Sequence, residues 1–132
     1  MAVLWIVRES IVFVTLVGDY PFHEIQGAVA DAFADPQTPV RAPLLIDGRA
    51  SWVVLTTQEI QLRSDWYRDL LEREVTARCA IVVGESEYRQ QIVAQGIAPL
   101  QETGLPVRSF TQFKDAVAWL KAPEDTSFED MS

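Results

Sequence analysis

An unbroken apolar run, residues 79–83, constrains the fold more than any other stretch of the chain. Its sequence, Cys-Ala-Ile-Val-Val, shows no alternation of polar and apolar positions, and it stops at Gly84. Runs of this kind are typical of strands buried on both faces in a parallel or mixed sheet. Gly84 supplies a turn, and Ser86 is suited to cap a following helix. The sequence therefore predicts a layered α/β domain with this strand inside its sheet.

The rest of the chain alternates strands with helices. Two apolar runs, 3–7 and 11–17, are separated by three polar residues, so we expect an antiparallel hairpin. Further short strands are expected at 44–48 and 106–110, while 52–55 is interpreted as a partly buried connection. The predicted order is β-β-α-β-α-β-α-β-α. Strand-helix units imply right-handed crossovers, a mostly parallel sheet and an antiparallel first strand at one edge.

Helix boundaries are predicted from capping residues and from glycine and proline. Segments with helical spacing of apolar residues lie at 21–35, 56–74, with a break near Ser64, 86–95, and from Thr111 to Pro123. Thr56 and Glu59 have the spacing of a capping box. Gly96 marks the end of the third helix, with Pro99 starting another short turn. Thr111 is the expected cap of the last helix.

Composition limits the classes of protein that this chain can belong to. The 132 residues suit one domain, expected at 1–121, followed by an acidic tail at 122–132 that we expect to be disordered. A net charge of −8, with scattered basic residues, argues against a nucleic-acid partner. The single cysteine, Cys79, is expected to be a buried apolar residue. Without a basic leader or an apolar stretch of roughly 20 residues, we expect a cytoplasmic protein with no membrane span.

Polar residues at the carboxyl ends of the strands form one set of candidate site residues, because ligands of open α/β sheets bind there. A ligand or partner site is predicted from Asp19, Asp47, Arg49, Ser51, Trp52, Glu85 and Ser86. The three carboxylates suit Mg²⁺ in a phosphoryl-transfer site, but the same residue types are common in turns and caps. We predict no metal, no cofactor and no catalytic residue. His23 has neither a second histidine nor a cysteine nearby that would complete a zinc site.

Two threonines and two tryptophans are further candidates. Thr56 and Thr57 either cap a helix, a contribution of about 1 kcal/mol, or accept a phosphate, whose charge a helix N-terminus favours. Trp119 lies off the apolar stripe of the last helix, and Trp52 lies in a connection. Each either fills core or lines an apolar pocket or a partner surface, because aromatic side chains anchor both kinds of contact.

Three segments together resemble the SpoIIAA-like branch of the STAS domain family, a bacterial group. They are Leu-Leu-Ile-Asp-Gly-Arg-Ala-Ser at 44–51, Arg-Cys-Ala-Ile-Val-Val-Gly at 78–84, and the final strand with Ala-Val-Ala-Trp-Leu at 116–120. The resemblance covers residues 1–121 and implies the STAS fold. It also implies regulation through protein contacts, in some members gated by a phosphate at the start of the second helix. The usual Asp-Ser-Ser-Gly signature is replaced by Leu-Thr-Thr-Gln at 55–58.

From these patterns we expect a non-catalytic regulatory domain that binds a protein partner, with a second copy of itself as one option. The first alternative is a carrier or sensor of a small apolar, lipid-like ligand held between the C-terminal helices and the sheet. The second alternative is a metal-dependent phosphoryl enzyme. The three differ in their surfaces: an exposed apolar patch, an enclosed apolar pocket, or acids converging in a polar cleft.

Overall fold

Residues 2–123 are described by a computed structural model of the protein, and they form five strands and four helices. The strands are β1 (Ala2–Arg8), β2 (Ile11–Gly18), β3 (Leu44–Ser51), β4 (Cys79–Val82) and β5 (Val107–Phe110). The helices are α1 (Phe22–Ala34), α2 (Thr57–Glu72), α3 (Glu87–Glu102) and α4 (Phe113–Lys121). The order of elements is the one predicted from the sequence.

The five strands form one sheet in the order β1-β2-β3-β4-β5. β1 pairs antiparallel with β2, and the remaining neighbours are parallel, which confirms the predicted sheet. β2 and β4 lie inside it, as their unbroken apolar runs indicated. The hairpin turns at Glu9 and Ser10, both with positive φ (54° and 65°). Positive φ at both central residues suits a turn that matches the twist of its strands.

The helices divide unequally between the two faces of the sheet. β2, β3, β4 and β5 succeed one another in a single direction, so crossovers of one hand put α1, α2 and α3 on the same face. Their buried side chains form the larger core, which includes Ile25, Tyr67 and Leu100. On the opposite face α4 is the one helix among residues 2–123, and its Ala116, Trp119 and Leu120 cover Leu45, Ala80 and Val82. We call these the three-helix face and the single-helix face.

The third helix corrects the prediction most clearly. α3 does not end at Gly96 but continues through Pro99 to Glu102. Gly96 has a packing role, because an added Cβ there would lie 3.3 Å from Cγ2 of Ile60 on α2. Leu100, one residue after the proline, is fully buried, so tertiary burial outweighs the cost of proline within the helix.

Three smaller boundaries also differ from the prediction. α2 is continuous through Ser64, and β3 extends to Ser51 rather than ending at Gly48. The N-cap of α4 is Gln112 and not Thr111, and the Gln112 side chain makes no capping hydrogen bond. The predicted connection at 52–55 is irregular and partly buried, as expected.

The acidic tail predicted at 122–132 lies outside the described residues from position 124 onward. Within residues 2–123, none of the helices has the length and apolar character needed to cross a membrane.

Candidate functional site

An apolar pocket of about 100 Å³ lies on the three-helix face, at the carboxyl ends of the central strands. Its floor comes from the sheet, and its walls come from α2, α3 and the connection that follows β3. The lining side chains include Leu16, Ile46, Ile81, Ile60, Ile92 and Val93. This is the edge of an open α/β sheet where ligands ordinarily bind. We take it as the candidate functional site.

The position of α2 explains why this space exists. α2 packs on α3, where Gly96 lets the two helices approach closely at Ile60, and its C-terminal half buries Leu70 and Leu71 in the core. The pocket lies between the sheet and the part of α2 from Ile60 to Tyr67. The connection at 52–55 lies over this space, with Val53 and Leu55 lining the pocket. Trp52 points away from it and is 74% exposed.

A buried hydrogen bond holds the rim of the pocket on the β3 side. The hydroxyl groups of Tyr20 and Ser51 lie 2.8 Å apart. The backbone N–H of Trp52 also donates to the Gly18 carbonyl at 2.9 Å, which fixes the start of the connection against β2. These contacts pre-form the rim, and a pre-formed apolar pocket is the usual form of a small-molecule site.

Ser64 and Arg63 line the pocket, and each has a buried polar atom that makes no hydrogen bond within residues 2–123. Ser64 is 3% exposed, and its Oγ has no hydrogen-bond partner among the described residues. The same holds for the buried Nε of Arg63, whose guanidinium lies over the Phe22 ring at 5.1 Å and the Tyr20 ring at 5.9 Å. A buried polar atom without a partner costs roughly 1–3 kcal/mol, so such atoms call for an explanation.

Arg89 is the second cation of the pocket lining. Its Nη1 donates to the Gly48 carbonyl at 3.1 Å, which holds the guanidinium across the carboxyl end of β3. Tyr67 lines the deeper part, and burial raises the pKa of its hydroxyl far above the ordinary value of 10.0. The phenol therefore stays protonated and can donate a hydrogen bond.

The residues predicted at the strand ends do not form one site. Ser51 lies in the pocket, but Asp47 lies on the opposite face, in a second concavity of about 290 Å³. Arg49 donates to both carboxylate oxygens of Asp47, at 2.9 and 2.7 Å, and this bond raises the pKa of the arginine. Asp19 and Glu85 are exposed. Across residues 2–123, no group of three or more His, Cys, Asp or Glu side chains could hold a metal ion.

Ser86, Thr56 and Thr57 lie at helix N-termini. Ser86 caps α3 by accepting from the backbone N–H of Arg89 at 3.3 Å. Thr56 and Glu59 form the predicted capping box: the Thr56 hydroxyl accepts from the Glu59 N–H, and the Glu59 carboxylate accepts from the Thr56 N–H. Thr57 is the first residue of α2 and is exposed. Phosphorylation of either threonine remains a prediction, and mass spectrometry of protein from its native cells tests it.

Trp119 is a core residue of the single-helix face, 8% exposed and outside both concavities. Its ring packs near Phe110, with 5.8 Å between centroids, and lies 5.4 Å from the guanidinium of Arg78. Arg78 is itself buried and donates to the carbonyls of Trp119 and Pro123, each at 2.6 Å. This arginine therefore fixes the end of α4 to the start of β4.

Sequence reasoning missed Arg63, Ser64 and Arg89. The charged residues of α2 by themselves favour a solvated helix face, but Ser64 lies between Ile60 and Tyr67 at helical spacing. A small hydroxyl residue inside an apolar stripe is the signal that could have found it.

The chain matches no family model, and no curated protein matches it.

Proposed function

We propose that this protein is a binding module whose pocket on the three-helix face holds a small, largely apolar ligand. The single observation that carries the proposal is the pre-formed apolar pocket at the carboxyl ends of the strands, with Ser64 Oγ buried and unpartnered in its wall. A carrier or a sensor needs such a pocket. Its residues offer apolar contact area and a few hydrogen-bond donors.

The volume sets the size of the bound group. A cavity of about 150 Å³ lined by aliphatic and aromatic side chains binds benzene in another protein. The present pocket, at about 100 Å³, is of similar order and is partly open to solvent. The group held inside is therefore comparable to one aromatic ring or a short alkyl chain, and any longer part of the ligand extends through the opening.

Membership of the SpoIIAA-like branch of the STAS family is part of the proposal. Its support is the order of elements, β-β-α-β-α-β-α-β-α, with an antiparallel first strand and a parallel remainder. On this proposal the domain is non-catalytic and cytoplasmic, and ligand binding is its regulatory input.

Toluene, a neutral apolar probe, tests the pocket. We expect toluene to raise the Tm and to shift the NMR resonances of Ile81, Ile92 and Val93, because it binds the folded state alone. At a free concentration about ten times its Kd, the stabilisation is about 1.4 kcal/mol. Native mass spectrometry of freshly purified protein, compared with denatured protein, shows in parallel whether a natural ligand is retained.

Two matched valine variants locate the binding. Val93→Phe fills the pocket and should abolish the response to toluene. Val117→Phe makes the same change at a half-buried valine of α4, on the single-helix face, and should leave the response intact. A toluene response that is absent, or unaffected by Val93→Phe, overturns the proposal.

A second candidate function, association with a second copy, is favoured by the exposed apolar side chains of β1. Leu4 and Ile6 are 58% and 50% exposed on the single-helix face, beside Val17 of β2. β1 is an edge strand, and within residues 2–123 its outer edge pairs with no strand. Antiparallel pairing of two β1 strands about Trp5 would put Leu4 of one protomer beside Ile6 of its partner. Such an edge is self-complementary, as a two-fold interface requires.

Sedimentation velocity tests the second candidate. We expect a dimer, and we expect Ile6→Lys to convert it into a folded monomer because the lysine places a charge at the shared edge. The control is Val40→Lys, at a valine that is 93% exposed in the loop after α1. A wild-type protein that sediments as a monomer at high concentration contradicts this candidate and leaves the pocket proposal untouched.

A further inference from the structure

We infer that the ligand of the three-helix face is a small monocarboxylate: an apolar ring or short chain within the pocket, with its carboxylate held by Arg63 and Ser64. The inference rests on the proposed binding function and names its ligand class. The pocket combines a wall without negative charge with unpaired hydrogen-bond donors.

The charges of the lining are all of one sign. The whole chain carries 19 acidic residues against 11 lysines and arginines, yet the charged residues that line the pocket are Arg63 and Arg89. Among the described residues, no carboxylate oxygen lies within ion-pair distance of either guanidinium, whereas Arg49, Arg68 and Arg73 are each paired. Glu59, one helical turn before Arg63, interacts with its charge but forms no ion pair with it. The lining therefore stays cationic, which favours an anion over a neutral or cationic ligand.

The hydrogen-bond donors without partners determine which acceptor groups the anion needs. Arg63 Nε and Ser64 Oγ are both buried without partners in the described part of the chain. Arg63 is held in place by the rings of Phe22 and Tyr20, so its guanidinium is already ordered before a ligand arrives. A carboxylate matches this set, because its two oxygens accept hydrogen bonds from an arginine fork and from a hydroxyl at the same time.

The carboxylate is preferred over a phosphate group because the pocket is small and mainly apolar. A phosphate monoester carries a charge of about −1.5 to −2 and three acceptor oxygens, which need more donors than Arg63 and Ser64 provide. Arg89 already uses one donor on the Gly48 carbonyl. A single negative charge on a compact apolar body is the better match.

Four probes that share one phenyl ring test the inference: phenylacetate, phenethyl alcohol, phenethylamine and phenyl phosphate. We expect calorimetry at low salt to give phenylacetate an affinity about tenfold higher than phenethyl alcohol, because charge-assisted hydrogen bonds replace neutral ones. Phenethylamine should bind most weakly, since the lining is cationic. A higher affinity for phenyl phosphate than for phenylacetate contradicts the carboxylate assignment.

Two substitutions in α2 separate charge from packing. Arg63→Met keeps an apolar stem against Phe22 and should lower the affinity for phenylacetate about tenfold, while leaving phenethyl alcohol unchanged. Ser64→Ala should lower it severalfold. The control is Arg68→Met, which removes an arginine of the same helix that pairs with Asp65 at 3.2 Å and does not line the pocket.

The outcomes distinguish the two proposals. The monocarboxylate inference is wrong if phenylacetate binds no more tightly than phenethyl alcohol. It is also wrong if Arg63→Met lowers the affinity for both of these probes equally. In either case the binding of toluene still supports the proposed apolar pocket. If neither toluene nor any of the four probes binds, the binding function itself fails, and this inference fails with it.

Discussion

The two faces of the sheet differ in how completely helices cover them. On the three-helix face α2 and α3 are capped by Thr56 and Ser86, α1 has no side-chain cap, and a pocket remains between α2 and the sheet. On the single-helix face one nine-residue helix without a side-chain N-cap covers β3 and β4, and Leu4 and Ile6 of β1 are exposed. The comparison separates two ways of leaving apolar surface available: in a partly open pocket between helices and sheet, or on an exposed edge strand.

The pocket and the exposed apolar side chains of β1 suit different ligands. The pocket selects by size and by the few donors in its wall, whereas an open strip of aliphatic side chains selects by shape and strand pairing. On the two proposals made above, the chain binds a small molecule on one face and a second copy of itself on the other. Because β2 and β3 contribute residues to both faces, binding on either side acts on the same strands.

The largest expected difference between the faces lies in their cores. Leu100→Ala should lower the free energy of unfolding by about 3–5 kcal/mol, because the site is enclosed and can collapse little. Leu120→Ala on α4 should cost about 2–3 kcal/mol, because a single short helix can shift to fill the space. Urea unfolding at neutral pH measures both. Equal costs would show that the two faces are packed alike.

Removal of the Arg78 guanidinium should have the next largest effect. Arg78→Met keeps the side chain's length but loses the hydrogen bonds to the Trp119 and Pro123 carbonyls, so we expect a loss of about 2 kcal/mol. Hydrogen exchange should increase mainly in α4. Arg73→Met, at an exposed arginine paired with Asp69, is the control and should change stability by less than about 0.5 kcal/mol.

Helix caps offer a milder comparison. Thr56→Ala should cost about 1 kcal/mol, because it removes a capping bond from α2. Gln112→Asp should raise stability by about 0.5–1 kcal/mol, because it gives α4 a capping side chain that it lacks. Thermal unfolding of both variants tests this, and a destabilised Gln112→Asp protein would refute the idea that α4 is under-capped.

The capping box also predicts a pH dependence. Hydrogen bonds from the backbone and the side chain of Thr56 lower the pKa of Glu59 below its ordinary 4.5. A lowered carboxylate pKa contributes stability above pH 4.5 and loses it as the pH falls through the folded-state value. Glu59→Gln should therefore flatten the decline in unfolding free energy as the pH falls below 4.5, and the effect should be small because solvent screens an exposed group. An unchanged pH profile would contradict this contribution.

The smallest effect on stability is expected from the exposed apolar side chains of β1, Leu4 and Ile6. Leu4→Ser should change the unfolding free energy of the isolated protomer by less than about 0.5 kcal/mol, because the side chain is already mostly in water. The measurement is made at low protein concentration. A loss above about 1 kcal/mol would mean that these side chains are covered in solution.

Local signals predicted most of the fold. The unbroken run at 79–83, the hairpin around Glu9 and the capping box at Thr56 each depend on neighbours in the sequence, and the structure has all three. Gly18, the last residue of β2, and Gly84, two residues after β4, both adopt positive φ, which suits the turns that leave these strands. α3 was predicted too short because Gly96 and Pro99 act as breakers only when no tertiary contact opposes them.

The pocket could not be predicted in the same way. Its wall is assembled from β2, β3, β4, α2, α3 and the connection at 52–55, so its existence depends on the distance between α2 and the sheet. No local pattern encodes that distance. The rule that ligands bind at the carboxyl ends of strands did place Ser51 at the pocket. It did not separate Asp47 from Ser51, because β3 extends to Ser51 and Asp47 lies within the strand, on the other face of the sheet.

The single-helix face also affects how the chain folds during synthesis. A nascent chain that ends at Phe110 already contains all five described strands, yet Leu45, Ala80 and Val82 have no helix over them until residues 113–121 follow. At usual translation rates this interval lasts about half a second to two seconds. During that time an apolar sheet face is accessible to chaperones and to other nascent chains. The guanidinium of Arg78 also lacks the hydrogen bonds that it later makes to the Trp119 and Pro123 carbonyls.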